Sequence, residues 1–573
     1  MHRRSLRPYL RYPFPVTQHL SFRSVHHFYS YREINEKNEK PIKYSHTPTI
    51  HFSPYCNIHS PLPVHSHPHS STDTNEHTVH RSMDPAFHPP FSLPNLYQTL
   101  PFGTCCAIFI LWAVHHILCQ RYAPITITGP TRREEVGAHG ETTEELVHKW
   151  CKSLKEGFTA SWWLPNGHAQ TIYSGLADFS MDDHVTYQRQ LLRLPDGGTI
   201  GVDVYPPLTT ELADDAPVIV VNHGLTGGSH ESYVRNLVVW LTKPIAEGGL
   251  GGRAAVVNFR GCASTPLTSP HLYCSGNTID NHTATTYLAS LFPDAPLLGV
   301  GFSLGAAVMT RYLGEQGDKS RLRAAVVLYC PLELKAMSAK LDSAHLFPRL
   351  YSLTMARKIL KSISPHLLPP SPLSSPSSPL HVNIPEILSL SSSVKYKWTL
   401  RASKVTELVV TKVGGSAPCF PFEGMDQFLE WACPSGWIGR IKRPTLAISA
   451  LDDPIVSGDC LPYSAVRASS HMILAGVAQG GHLGSFDSPS PFGPDRHRRW
   501  HVRPTIEFLR GVIKDLPKSA SEQKLGRVQV EEREDGWSWA GEVGWKLVGE
   551  EEECGWVGNG ICESEMDGAG ASV

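Results

Sequence analysis

The segment Leu297-Leu298-Gly299-Val300-Gly301-Phe302-Ser303-Leu304-Gly305-Ala306-Ala307-Val308-Met309 runs from a short apolar stretch, through a serine between two glycines, into a second apolar stretch of helical character. An apolar run of this length bounded by glycine fits a strand buried on both faces, and Ala306 to Leu313 fits a helix packed beside it. Between them the G-x-S-x-G pattern puts Ser303 in a tight strand-to-helix turn. The glycines there relieve crowding, and the hydroxyl stands exposed at the end of the strand. Ser303 is therefore a candidate nucleophile, and the N–H of Leu304 a candidate donor to developing negative charge.

A serine hydroxyl needs a base, and the base needs an acid to orient it. Both occur downstream in the order that suits a strand-turn-helix nucleophile. Asp453 lies in Ala450-Leu451-Asp452-Asp453-Pro454, past the apolar run Thr445 to Ala450, with Asp452 as a competing acid. His482 lies in Gly480-Gly481-His482-Leu483-Gly484, beyond the next apolar run, where glycines let a loop bring an imidazole over Ser303. Upstream, His223-Gly224-Leu225-Thr226-Gly227-Gly228 follows Val218 to Val221 and matches an oxyanion loop, with Leu225 N–H as the second donor and His223 shaping the loop. This loop lacks the Lys-Ser/Thr of a phosphate-binding P-loop. The pattern His482 to Asp487 also spells H-x-x-x-x-D, found in some acyltransferases, but His482 is already assigned and the match carries no separate activity. The chemistry needs neither metal nor cofactor.

Apolar runs at Val218–Val221, Ala254–Asn258, Leu297–Gly301, Ala324–Leu328, Thr445–Ala450 and Met472–Leu474 alternate with amphipathic stretches across 151–516. This predicts an α/β fold, a mostly parallel central sheet with helices on both faces. The Leu-, Met- and aromatic-rich segment 331–440 is the expected helical lid. Within it, 364–380 holds six prolines and six serines and is expected to be a flexible insert.

Fifty-two basic residues against 53 acidic ones leave a net charge of −1, which removes the phosphate attraction that general nucleic-acid binders use. Thirteen cysteines without a C-x-x-C pair argue against a disulfide framework or zinc ribbon. Residues 1–100 are rich in His, Pro and Ser without apolar periodicity and are expected to be disordered. Residues 103–119 form an uncharged apolar run of minimal spanning length, expected as a membrane anchor. With Arg121, Arg132 and Arg133 after it, a single-pass protein with its catalytic side in the cytosol is predicted, at the endoplasmic reticulum, a lipid droplet or the mitochondrial outer membrane. Residues 120–150 read as a linker. From 517 to 573 the chain reads as a disordered acidic tail, with 13 acidic and four basic residues from 520 onward.

Several further motifs are more specific than the serine turn. They are Trp162-Trp163-Leu164-Pro165-Asn166-Gly167-His168-Ala169-Gln170-Thr171, Leu194-Pro195-Asp196-Gly197-Gly198 and Asn258-Phe259-Arg260-Gly261-Cys262. With the Ser303, Asp453 and His482 segments, they make residues 155–515 resemble the YheT-like branch of the α/β-hydrolases. That branch includes fungal medium-chain fatty acid ethyl ester synthase/esterases and animal membrane-anchored phospholipase and monoacylglycerol lipase relatives. The resemblance implies a serine carboxylesterase or lipase for short- to medium-chain acyl esters such as fatty acid ethyl esters and monoacylglycerols. It also implies possible partner substrates in acyl-CoA and an alcohol, joined by O-acyl transfer. The rival reading is a catalytically weak, membrane-tethered lipid-binding or scaffold protein on the same fold.

Overall fold

The computed structural model describes residues 122–392, 398–557 and 561–562, all within the second of two compact units, 93–573. The expected disordered region 1–100 and the apolar run 103–119 lie outside the described residues.

The elements that position the site are, in chain order, β1 (Ile125–Thr128), α1 (Thr143–Trp150), α2 (Gly167–Leu176), β2 (Thr186–Arg193), β3 (Thr199–Tyr205), β4 (Val218–Asn222), α3 (Ser232–Thr242) and β5 (Arg253–Asn258). They continue with α4 (Ile279–Leu291), β6 (Leu297–Phe302), α5 (Leu304–Gln316) and β7 (Leu322–Leu328). The lid helices α6 (Leu334–Leu341), α7 (Leu346–Ile363), α8 (Ile384–Ser392) and α9 (Met425–Ala432) follow, then β8 (Thr445–Ala450), β9 (Met472–Val477), α10 (Val502–Asp515) and β10 (Val543–Val557).

One sheet runs β10-β2-β3-β5-β4-β6-β7-β8-β9-β1 through its main strands, extended beyond β10 by Ser538–Ala540 and Glu531–Glu532. The six strands from β5 to β9 are parallel, and those on either side are antiparallel. Crossover helices cover both faces, so both parities of each central strand are apolar. In β4, Ile219 and Val221 join Val234, Leu237 and Phe508 on one face, whereas Val218 and Val220 join Leu288, Ala307 and Tyr312 on the other. The chain thus has the α/β-hydrolase fold, with helices on both faces of a mostly parallel sheet.

Three boundary expectations need correction. Residues 120–150 are not a linker. β1 pairs antiparallel with β9, and α1 starts on a reciprocal capping box between Thr142 and Glu145 and buries Leu146 and Val147. The tail is not disordered where it is described. Ala520–Leu525 is helical behind a Ser519/Glu522 capping box, and β10 pairs with β2 while burying Val543 and Trp545. The cause is a period-2 alternation of Val543 and Trp545 with Gly544 and Lys546, which overall acidity masked. The 364–380 insert is not a loose excursion either. It winds through short 3₁₀ turns at Ser364–His366 and Pro372–Ser374, and Leu367, Leu373 and Leu380 are fully buried in the lid's own core.

The single-pass membrane placement is also corrected, and with it the organelle assignment. Among the described residues no helix is long and apolar enough to cross a membrane. The longest, α7, has 18 residues but carries Arg349, Arg357, Lys358 and Lys361, and its apolar side faces the lid core.

Candidate active site

Ser303 sits between β6 and α5 at φ 50°, ψ −118°, a conformation that costs a non-glycine residue about 1–3 kcal/mol. The neighbouring glycines make the turn possible. A side chain at 301 would run into the Ala306 backbone at 2.6 Å, and one at 305 would run into the carbonyls of Asn222 and His223. Glycine at 305 therefore lets the start of α5 rest on the end of β4, which brings the 223–227 loop beside the serine.

The structure brings Ser303, His482 and Asp453 together. His482 Nε2 lies 2.9 Å from Ser303 Oγ, and His482 Nδ1 lies 2.7 Å from Asp453 Oδ2. Asp453 Oδ1 accepts from the N–H groups of Ile455 and Val456 at 2.7 and 2.9 Å, so both carboxylate oxygens are engaged and the side chain is buried. Asp452, the competing acid, does not reach the imidazole. Its Oδ1 accepts from Gly481 N–H at 2.9 Å and braces the histidine loop instead. Burial, opposed by that hydrogen bond and reinforced by the charge of Asp453, pushes the Asp452 carboxyl up to about 6. Asp487 of the H-x-x-x-x-D match is held by Arg498 and Arg503 at 2.9 and 2.8 Å and serves that ion pair.

Leu225 and Leu304 line the same cavity as Ser303. The hydrogen bonding of the 223–227 loop singles out one amide. Gly224 N–H donates to Tyr233 OH at 3.0 Å and Thr226 N–H to Tyr273 OH at 2.9 Å, whereas Leu225 N–H, like Leu304 N–H, has no partner among the described residues. His223 is buried and shapes this loop. Its Nε2 accepts from Phe259 N–H at 3.2 Å, so Nδ1 carries the hydrogen and donates to Gly224 O at 2.7 Å. Burial lowers its pKa to about 4, which keeps that neutral form.

Several residues with a part in this geometry were not assigned one from sequence. Thr171 Oγ1 accepts from His482 N–H at 2.8 Å and donates to Gly167 O at 2.6 Å. Gln170 accepts from Phe486 N–H at 2.8 Å and donates to Leu164 O at 2.9 Å. Asn166 caps α2 through Ala169 N–H, and a side chain at 167 would collide with the backbone of Asp452. The 162–171 motif is thus the cradle of the histidine loop, a role that the polar spacing N-G-x-x-Q-T signals only once its partners are known. Tyr233 and Tyr273 carried no sequence signal at all.

Next to Ser303 opens an apolar cavity of about 150 Å³, walled on the lid side by Met337, Leu341, Met355 and Ile359, with Phe428 and Leu429 also in its lining. Arg260 also borders it, but its guanidinium is neutralised by Asp280 and Asp196 at 2.7 and 2.6 Å. Asp342, which accepts from Ser352 Oγ at 3.3 Å, is the one carboxylate in a lining that is otherwise mostly apolar, and such a chamber suits a hydrocarbon chain. Among the described residues, no group of three or more His, Cys, Asp or Glu is placed to hold a metal ion.

No protein-family model matches the chain. It is 28% identical to a monoacylglycerol lipase of Saccharomyces cerevisiae over 71% of this chain and 92% of that protein. It is also 28% identical to medium-chain fatty acid ethyl ester synthase/esterase 2 of the same yeast, over 64% of this chain and 88% of the relative. Against the human phospholipase ABHD3 the figures are 25% identity, 68% and 88%. All three are ester-processing enzymes of one superfamily, and with the sheet described above they place this chain among the α/β-hydrolases, as an ester hydrolase of the branch that holds these lipases and esterases.

Proposed function

We propose that the protein is a serine carboxylesterase or lipase for short- to medium-chain acyl esters, fatty acid ethyl esters and monoacylglycerols among them. The observation that carries this reading is the continuous hydrogen-bonded line Ser303–His482–Asp453 at the mouth of an apolar cavity. Ser303 Oγ attacks the ester carbonyl as His482 Nε2 takes its proton, and Asp453 holds the Nδ1 hydrogen and steadies the imidazolium. The carbonyl oxygen gains its charge against the Leu225 and Leu304 amides. When the tetrahedral adduct collapses, the protonated imidazole returns the proton to the departing alkoxide. The acyl group, now esterified to Ser303, stays in the cavity. Water, deprotonated by the same imidazole, then releases the acid.

An alcohol in place of that water releases a new ester, so the same acyl-enzyme supports O-acyl transfer, with an acyl thioester such as acyl-CoA as the acyl donor. The relative named as a synthase/esterase favours including this second outcome. The test is fluorophosphonate labelling of the full chain, followed by turnover of C4, C8 and C16 esters with and without ethanol. Labelling that depends on Ser303, hydrolysis that prefers the shorter chains, and ethyl ester formed in ethanol are expected. A folded protein that neither labels nor turns over any of these esters would remove the enzymatic reading and favour a lipid-binding role for the fold.

A further inference from the structure

A second cavity, of about 380 Å³, opens where the C-terminal segment closes over α4 and the end of α5. Tyr312 in its wall lies nine residues along α5 from Ser303, about 14 Å at the helical rise, so this is not a branch of the acyl chamber. Its polar lining includes Thr286, Tyr312 and Gln529 beside the basic or imidazole side chains of His282, Lys319, Arg321 and Arg527, and none of the described residues that line it is acidic.

The carboxylates nearby are already committed. Glu315 is held by Arg311 Nε at 2.7 Å and by the Thr278 hydroxyl, and Asp294 takes both of its contacts at 2.8 Å from Arg527. Lys319 and Arg321 form no ion pair among the described residues. Arg321 donates to Gly526 O at 3.2 Å, and partial burial makes its charge harder to keep. Beside it, His282 Nδ1 is buried without a hydrogen-bond partner, and burial, opposed by the charge of Glu315 and reinforced by that of Arg321, lowers the pKa of the ring and favours its neutral form. Two cations that form no ion pair among the described residues, and a neutral imidazole, around a concave space with no acidic residue in its lining form a receptor for an oxyanion. A guanidinium paired with an ammonium suits a tetrahedral one with two charges.

We propose that this cavity binds a phosphate dianion, as inorganic phosphate or as the head of a phosphate monoester, with Arg321 and Lys319 supplying charge and His282 a neutral donor. Two walls of the cavity come from 525–529 and 540–543, so occupancy pins the C-terminal segment to α4 and α5. The site is independent of the ester chemistry at Ser303.

The test is calorimetric titration and thermal unfolding of the full chain with inorganic phosphate and, separately, phenyl phosphate, against chloride at matched ionic strength. Saturable binding with a rise in Tm is expected, weakened at least tenfold in Arg321→Gln and about threefold in Lys319→Gln, but not in Lys514→Gln on the remote face of α10. Circular dichroism checks that Arg321→Gln is folded, and should it not be, Lys319→Gln with His282→Ala replaces it. Tighter binding of phenyl phosphate would identify a phosphate monoester as the ligand, and equal or weaker binding would identify inorganic phosphate. Binding no stronger than that of chloride, or binding equal in wild type and the cavity variants, would overturn the site.

Discussion

The loops that carry Ser303, Asp453 and His482 and the lid above them are held by different physics. Around the loops the contacts that fix the backbone are directional, although Leu483 and Phe486 also pack into apolar clusters. Thr171 grips the His482 amide, Asp452 the Gly481 amide, and Tyr233 and Tyr273 the amides on either side of Leu225. The lid core is instead a cluster of Leu, Ile and Val that includes Leu353, Leu360, Leu373 and Leu380. A few polar ties such as Ala402 N–H to Ser352 Oγ and Asn383 to Leu408 O supplement it. Hydrogen bonds fix angles and tenths of an ångström, whereas apolar burial is proportional to area and indifferent to orientation. The side chains of the candidate site are thus positioned by the loops, and the apolar cavity beside them is shaped largely by the lid.

The largest effect expected on this comparison is at the nucleophile. Ser303→Ala should lower kcat by about 10⁴- to 10⁶-fold, as loss of a triad member does elsewhere, while the apparent Tm moves by no more than a few degrees. Steady-state kinetics beside a thermal scan separates the two, and substantial residual turnover would shift the chemistry off the loops. Next comes the brace beneath the base. Thr171→Val leaves the buried His482 N–H without its acceptor, a loss of about 1–3 kcal/mol, so kcat should fall about 5- to 150-fold with KM little changed. Thr171→Ser should restore it. A fall in KM-dependent binding alone would show that the motif serves the lid, to which its His168 is also joined through Tyr351 at 2.9 Å.

A change in the lid should have the opposite signature. Leu373 lies at the heart of the insert and is fully buried, and Leu373→Ala should cost about 2–5 kcal/mol in unfolding free energy. Its activity should change only a few-fold, and more for C8 and C16 esters than for C4. Unfolding in urea together with chain-length profiles reads both quantities. An unchanged urea midpoint would return the insert to the status of a loose loop.

This contrast also explains how much was legible beforehand. The six apolar runs from Val218 to Leu474 are the six parallel strands, with ends shifted by at most three residues, because strands buried on both faces are written as continuous apolar runs. The residues of the candidate site could be named from G-x-S-x-G, the two aspartates and the glycine-flanked histidine, since chemistry restricts residue type at those points. The motif favours Asp453 over the adjacent Asp452, and the coordinates place the Asp453 carboxylate against His482 and that of Asp452 against the Gly481 amide. The edge strands and the insert were misread because composition outweighed pattern. Six prolines concealed three buried leucines, and an acidic average concealed Val543 and Trp545.

The smallest effect expected is on the loop side and is a matter of pH. Asp452 carries its raised pKa of about 6 against 3.8 in an open chain, so the folded state binds this proton more tightly than the unfolded state does. Stability contributed by the protonated form is therefore complete below about pH 4 and is lost as pH rises towards 6, at most about 3 kcal/mol for a shift of this size. Asp452→Asn keeps an oxygen acceptor for Gly481 N–H and removes the titration, though its amide brings a constant offset, because Oδ2 has no partner in the fold. The difference between variant and wild type should therefore change by about 1–3 kcal/mol in the variant's favour between pH 4 and pH 7, with turnover at neutral pH within about twofold. Parallel stability curves over that range would mean that Asp452 is solvated and that its protonation does not contribute to the hold on the histidine loop.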